Sequence, residues 1–192
     1  MGILDDIFWL ALSDTQARFA TGAGPARRYA PGFSPILGFE DREHPDFAAL
    51  DGFSAPGEKF YVDTWSGAAP PGWNIVVDKK MKRMVFAGDL PDEDPTLEAR
   101  PLEGKHAQQA VDLAVLTNPG PFGLRTIELG EYFGVFEGER LVAMAGERLH
   151  AGPYREVNGV DRTVDSGRQA GPRRRWAGPR ASGWTTRGPC AG

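Results

Sequence analysis

The groups in this chain that could ligate a metal, attack an electrophile or move a proton are few. His44, His106 and His150 stand more than 40 residues apart. That spacing places no two imidazoles on one metal, and it predicts ordinary surface or loop histidines. Cys190 is the single thiol, which excludes an intramolecular disulfide or a cysteine-based zinc site and fits a reducing, cytoplasmic setting. Asp89, Asp92, Glu93 and Asp94 are dense in carboxylate but lack the spaced loop and closing Glu of a calcium hand, so a solvated linker is expected there. Seven Arg against two Asp in residues 161–192 leave residues 1–160 strongly acidic. Nucleic-acid binding would rest on Arg clusters around Trp176 and Trp184 alone, and the acidic remainder argues against it.

The elements that must position any such group follow from periodicity. The 192 residues, 41% of them hydrophobic, suffice for a real core. Ile3, Leu4, Ile7, Phe8 and Ala11 recur at helical spacing. Asp5 and Asp6 stand where a secretory signal would carry Lys or Arg, and the apolar run is too short for a membrane span, so an amphipathic packing helix is expected, followed by a second short one capped by Ser13 or Asp14. Pro and Gly alternating with aromatics suggest loops around a short helix at Pro45–Leu50. "KFYVDTW" (59–65) reads as a strand, and "WNIVVDKKMKRMVFAG" (73–88) as two strands about a turn at Asp78–Lys80. A boundary is expected near residue 90. Beyond it, Ala107, Ala110, Val111, Ala114 and Val115 share a helical face that Asn118-Pro119-Gly120-Pro121 stops, and "RTIELG" makes a second short helix. Then come Tyr132–Phe136, a tight turn at Glu137–Arg140, a strand over Leu141–Leu149, and a third strand opening at "GPYREV".

"AVLTNPGPFGLRTIELGEYFGVFEGERLVAMAGERLHAGPYREVNGV", residues 114–160, resembles the GNAT acetyltransferase superfamily, in a bacterial branch with an extra N-terminal half. The resemblance implies an α+β fold with a largely antiparallel sheet and flanking helices: a variable half over 1–90, the first half of a GNAT domain over 91–160, and a tail over 161–192. It implies N-acetyl transfer from acetyl-CoA to a small-molecule or peptide amine. "REVNGV" corresponds to the family's fourth strand, which splays from the next at a bulge, so the backbone of Gly159 and Val160 should meet the acyl end of the cofactor. Glu131, Glu137 and Glu147 fall on or beside central strands, and Glu147 is the candidate general base, an ordinary surface ion pair being the alternative.

The tail departs from the family. Arg168-Gln169-Ala170-Gly171 matches four positions of the phosphate loop Gln/Arg-x-x-Gly-x-Gly/Ala, making Arg168 and Gly171 candidate cofactor contacts. Arg173 then stands where Gly or Ala belongs, and Pro172 removes an N–H from the cradle. Gly, Ala, Arg and Pro supply 20 of residues 161–192, and Val164 is the only aliphatic residue there larger than Ala. A disordered tail is expected. These residue types have GC-rich codons, which suggests a shifted reading frame after Val160. The alternative to an active enzyme is a catalytically inactive remnant or a non-enzymatic binding module. A missing second half would leave the fourth strand as an exposed edge, prone to self-association.

Overall fold

The computed structural model describes residues 2–63, 65, 67–80, 82–89, 97–117 and 120–162. The chain opens with a 3-10 turn (Ile3–Asp5), α1 (Ile7–Leu10) and a π turn (Ala11–Thr15), a nearly continuous helical run. Ile7, Phe8 and Ala11 are buried as their spacing predicts, together with Leu12, whereas Ile3 of the expected face is exposed. In place of the second short helix expected after Ser13 or Asp14, a 3-10 turn at Ala17–Phe19 leads into β1 (Ala20–Thr21). β1, β2 (Ala26–Tyr29) and β3 (Leu37–Phe39) form a small antiparallel sheet that the loop-like composition conceals. β3 lies so close to α1 that a Cβ on Gly38 would meet the Trp9 backbone nitrogen at 2.8 Å. The short helix expected at Pro45–Leu50 is instead a 3-10 segment, Ala48–Phe53.

The second sheet is antiparallel in the order β4-β5-β6-β7, from β4 (Ala99–Pro101), β5 (Tyr132–Glu137), β6 (Arg140–Ala151) and β7 (Tyr154–Arg162). α2 (Ala107–Thr117) and a 3-10 turn (Thr126–Glu128) stand between β4 and β5. Two tight turns set the register: Gly138 at φ +61° joins β5 to β6, and Gly152 at φ +54° precedes Pro153 between β6 and β7, a conformation that glycine adopts without steric cost. α2 buries Ala110, Leu113 and Ala114 against Tyr132, Leu141 and Met144.

The N-terminal residues and this sheet share one core. Ile7, Phe8, Ala11, Leu12, Tyr29, Phe33 and Ile36 pack with Leu129, Leu149 and Ala151. Each Ile, Leu and Phe side chain among them contributes roughly 1.5–3 kcal/mol by leaving water. Gln16 is the polar pin of the joint. Its Nε2 donates to the carbonyls of Leu129 (2.9 Å) and Arg148 (3.1 Å), and its Oε1 accepts from Tyr29 Oη (2.6 Å) and the His150 amide (3.1 Å). All four bonds are made inside the protein, where an unmade one is costly.

Two strand expectations fail. Over 59–65 the described residues make one bridge, Ile36 to Tyr61, and those of 73–88 join no ladder. That stretch is tied at its ends instead. The Trp73 ring packs tilted against Phe47, centroids 5.1 Å apart, and Arg83 binds Asp63 and the Leu4 carbonyl. Among the described residues no helix is long and apolar enough to cross a membrane.

Candidate functional site

The pairing of β6 with β7 is irregular at two places. Met144 faces Asp161 while Gly146 faces Asn158, so two steps along β6 span three along β7. The surplus residue lies between Asn158 and Asp161, at Gly159 and Val160. Such a bulge leaves backbone groups outside the ladder and turns the strand. Further on, Glu147 faces Val157 and Leu149 faces Glu156, which makes Arg148 a surplus residue on β6. The sequence-derived backbone site therefore coincides with a bulge. Arg168 and Gly171, like most of the expected tail, the heart of the acidic linker and the helix-stopping Asn118-Pro119, lie outside the described residues.

Glu147 is buried, and its Oε2 is 3.0 Å from His150 Nε2. The pair is not aligned as a hydrogen bond, so Nε2 has no hydrogen-bond partner. Gly130 passes directly over the pair: a Cβ there would sit 2.9 Å from Nε2 and 2.8 Å from the Glu147 Cβ. Burial pushes the Glu147 carboxyl above the usual carboxylate range, with Glu131 adding to the rise and Arg155 opposing it. Burial, aided by Arg155 and Arg18, pushes the His150 imidazole down to about 4. Both shifts favour the uncharged form, and loss of hydration is the leading cause of each.

The other carboxylates part ways. The Glu131 carbonyl accepts from the Glu147 amide at 3.0 Å, whereas Glu137 pairs with Arg140 at 2.9 Å in the exposed hairpin turn. His44 is exposed as expected. His106 is buried, its Nδ1 accepting from the Glu103 amide at 2.9 Å. Among the described residues no cluster of three or more metal-ligating side chains exists.

The opposite face of the same sheet carries a second polar group that periodicity does not reveal. Tyr132, Gly146 and Asn158 lie in one row across β5, β6 and β7 and so share a face, while Glu147, the next residue along, points the other way. The Tyr132 ring lies on Gly146, where a Cβ would be 2.2 Å from its Cγ. Arg148, almost wholly buried, grips Glu156 through Nε (3.0 Å) and Nη2 (2.9 Å). The segment 120–126 roofs this group. Phe122 meets the Tyr132 ring edge-on at 5.8 Å, and the Pro121 carbonyl accepts from Ser34 Oγ at 3.1 Å and more weakly from Arg148 Nη1 at 3.4 Å.

No family model and no curated protein matches the chain. A solved structure does. A candidate acetyltransferase of the GNAT family from Novosphingobium aromaticivorans DSM 12444 superposes with a TM-score of 0.68 at 24% identity, covering 87% of this chain and 74% of that one. The architecture is thus α+β, a largely antiparallel sheet flanked by helices. More narrowly, it is the GNAT fold, and the resemblance read from residues 114–160 holds at the level of that fold.

Proposed function

We propose that the chain is an N-acetyltransferase that moves an acetyl group from acetyl-CoA to an amine, acting in the cytoplasm. The observation that carries this reading is the β7 bulge at Gly159 and Val160, placed in a GNAT fold where the resemblance puts the acyl end of the donor. Acetyl-CoA would supply an acetyl group activated as a thioester. Backbone N–H groups left outside the ladder at the bulge fit a thioester carbonyl, since a positioned donor stabilises charge developing on oxygen. Glu147 then serves as the base. It takes a proton from the amine, through water, as the new C–N bond forms; the C–S bond breaks and the thiolate leaves to be protonated. His150, 3.0 Å away and held neutral by burial, leaves the carboxylate as the proton acceptor of the pair.

Titration calorimetry of the full chain with acetyl-CoA tests the reading. Saturable binding in the micromolar range supports it, and none at millimolar concentration assigns the fold to a non-enzymatic role, to which the departures at Pro172 and Arg173 would contribute. Glu147→Gln should lower kcat/KM by about 10²–10³. In the unsubstituted protein kcat/KM should rise with pH through a midpoint above the ordinary carboxylate range, because the base form is the ionised one, and the substitution should remove that limb. An unchanged pH profile in the variant would exclude Glu147 as the base.

A further inference from the structure

Two short runs of the chain, 75–77 and 84–86, gather exposed apolar surface. Their side chains lie between 49% (Ile75) and 93% (Met84) exposed. Single exposed apolar residues are ordinary, but a concentration of them marks an interaction surface. The roots of the runs are fixed to the body. The Trp73 ring packs against Phe47 and, at 5.9 Å, against Phe60, while Arg83 binds Asp63 and lies 5.5 Å over the Phe8 ring. Between the runs stand Lys79, Lys80 and Lys82, with Asp78 as the single acid against them. All four are exposed, and no ion pair ties the lysines among the described residues. A basic cluster flanked on both sides by bare apolar residues thus interrupts a chain whose first 160 residues are otherwise strongly acidic.

We propose that the two apolar runs and the lysines between them form a docking surface for an anionic lipid bilayer, on which the chain lies without spanning it. The lysines fit that surface by charge, and the acidic remainder of the chain is repelled by it, which turns this part of the molecule toward the lipid. The placement of the apolar residues selects a bilayer over a protein. Successive side chains of an extended chain point to opposite sides. Ile75, Val76 and Val77 therefore present apolar groups on two faces at once, as do Met84, Val85 and Phe86, and all six are open. A groove on a protein covers one face and leaves the other wet. The boundary between headgroups and acyl chains surrounds a shallowly inserted segment, and the lysine stems cross it so that their ammonium groups stay among the headgroups. Nucleic acid is a poor fit, since aliphatic side chains offer bases nothing to stack on. With Trp73 and Arg83 already holding the roots, insertion leaves the packed core as it is. The surface stands whether or not the chain transfers acetyl groups.

Co-sedimentation of the full chain with vesicles tests the surface. Phosphatidylcholine vesicles containing roughly one-quarter phosphatidylserine should carry the protein down, and phosphatidylcholine alone should bind it at least about tenfold more weakly. Raising NaCl from about 0.1 M to about 0.5 M should release it, because the attraction is screened. Lys79→Gln, Lys80→Gln and Lys82→Gln together should weaken binding about 100-fold, at about fivefold for each charge. Met84→Ser with Phe86→Ser should weaken it at least about tenfold. Both variants should keep the denaturant midpoint of the unsubstituted protein, since none of these side chains is buried; a lowered midpoint would place them in a core and overturn the surface. Absence of co-sedimentation with the phosphatidylserine vesicles overturns it, and so does binding that neither variant weakens. Light scattering separates the other occupant. A stable dimer without lipid that Met84→Ser with Phe86→Ser converts to monomer would assign the apolar runs to a second copy of the chain and overturn the lipid assignment.

Discussion

Residues 73–86 and residues 132–151 are built from the same kinds of side chain, yet they meet opposite fates. Met144 is 3% exposed and Met84 93%; Val142 is 8% exposed and Val76 72%. Both stretches favour extended backbone. The later one has neighbours to pair with: β5 lies along β6, β7 returns along its other side, and α2 and the N-terminal helical run cover one face. The earlier one is fastened at Trp73 and Arg83 and finds no ladder partner between them among the described residues. Strand propensity measures how well a side chain fits a pleated, half-buried surface. Where no such surface is presented, the propensity has nothing to act on.

Four measurements would break or sharpen this contrast. Gly146→Val strikes the paired stretch where it is tightest, driving a side chain into the Tyr132 ring and toward the Glu131 carbonyl; denaturant unfolding should show a loss of about 3 kcal/mol or more. Gln16→Ala leaves two carbonyls, one amide and the Tyr29 hydroxyl without their buried partner, for a loss of about 2–4 kcal/mol by the same assay. A smaller effect concerns pH. His150 holds its proton less readily in the folded protein, down to about 4, so between that value and its ordinary one the unfolded chain binds more protons. Stability should therefore fall as pH is lowered through this window, by about 1–2 kcal/mol after solvent screening. Glu147 is shifted upward, so the folded state takes up its proton first as pH falls, which makes the decline shallower. His150→Gln should flatten it, and a variant that retains the full slope would assign the titration elsewhere. Last, Val76→Ser with Val85→Ser in the unpaired stretch should move stability by no more than about 0.5 kcal/mol. A larger loss would mean that 73–86 is packed after all.

Legibility in the sequence followed the range of the interaction. Ala110 and Ala114 sit on one helical face by spacing alone, although Leu113 joins them in the core while Val115 of the expected face is 77% exposed; the Glu137–Arg140 turn with Gly138 and the Gly152-Pro153 turn declare two hairpins, because a turn is decided by its own few residues. β1, β2 and β3 were not legible. "ARRY" and "LGF" are short and polar or glycine-bearing, and they become strands only because α1 lies against Gly38 and because Arg28 buries its charge on Glu58, with Nη1 to Oε2 at 2.8 Å. His150 looked like an isolated histidine for a similar reason. The surplus residue Arg148 shifts the alternation of β6 so that positions 147 and 150 come to one face, and no periodicity announces a bulge.

The residues by themselves determined the order of elements from α2 to β7, the two hairpin turns, part of the helical face that α2 buries and the acidic character of residues 1–160, since each depends on near neighbours or on composition. Only the tertiary structure decided that the N-terminal run and the sheet share a core pinned by Gln16, that Glu147 meets His150, and that Tyr132 and Asn158 stand unpartnered across Gly146. Those outcomes depend on contacts between residues as many as 134 positions apart. Such pairs form when the chain closes long loops and surrenders their entropy together, and no local pattern records which ones will meet.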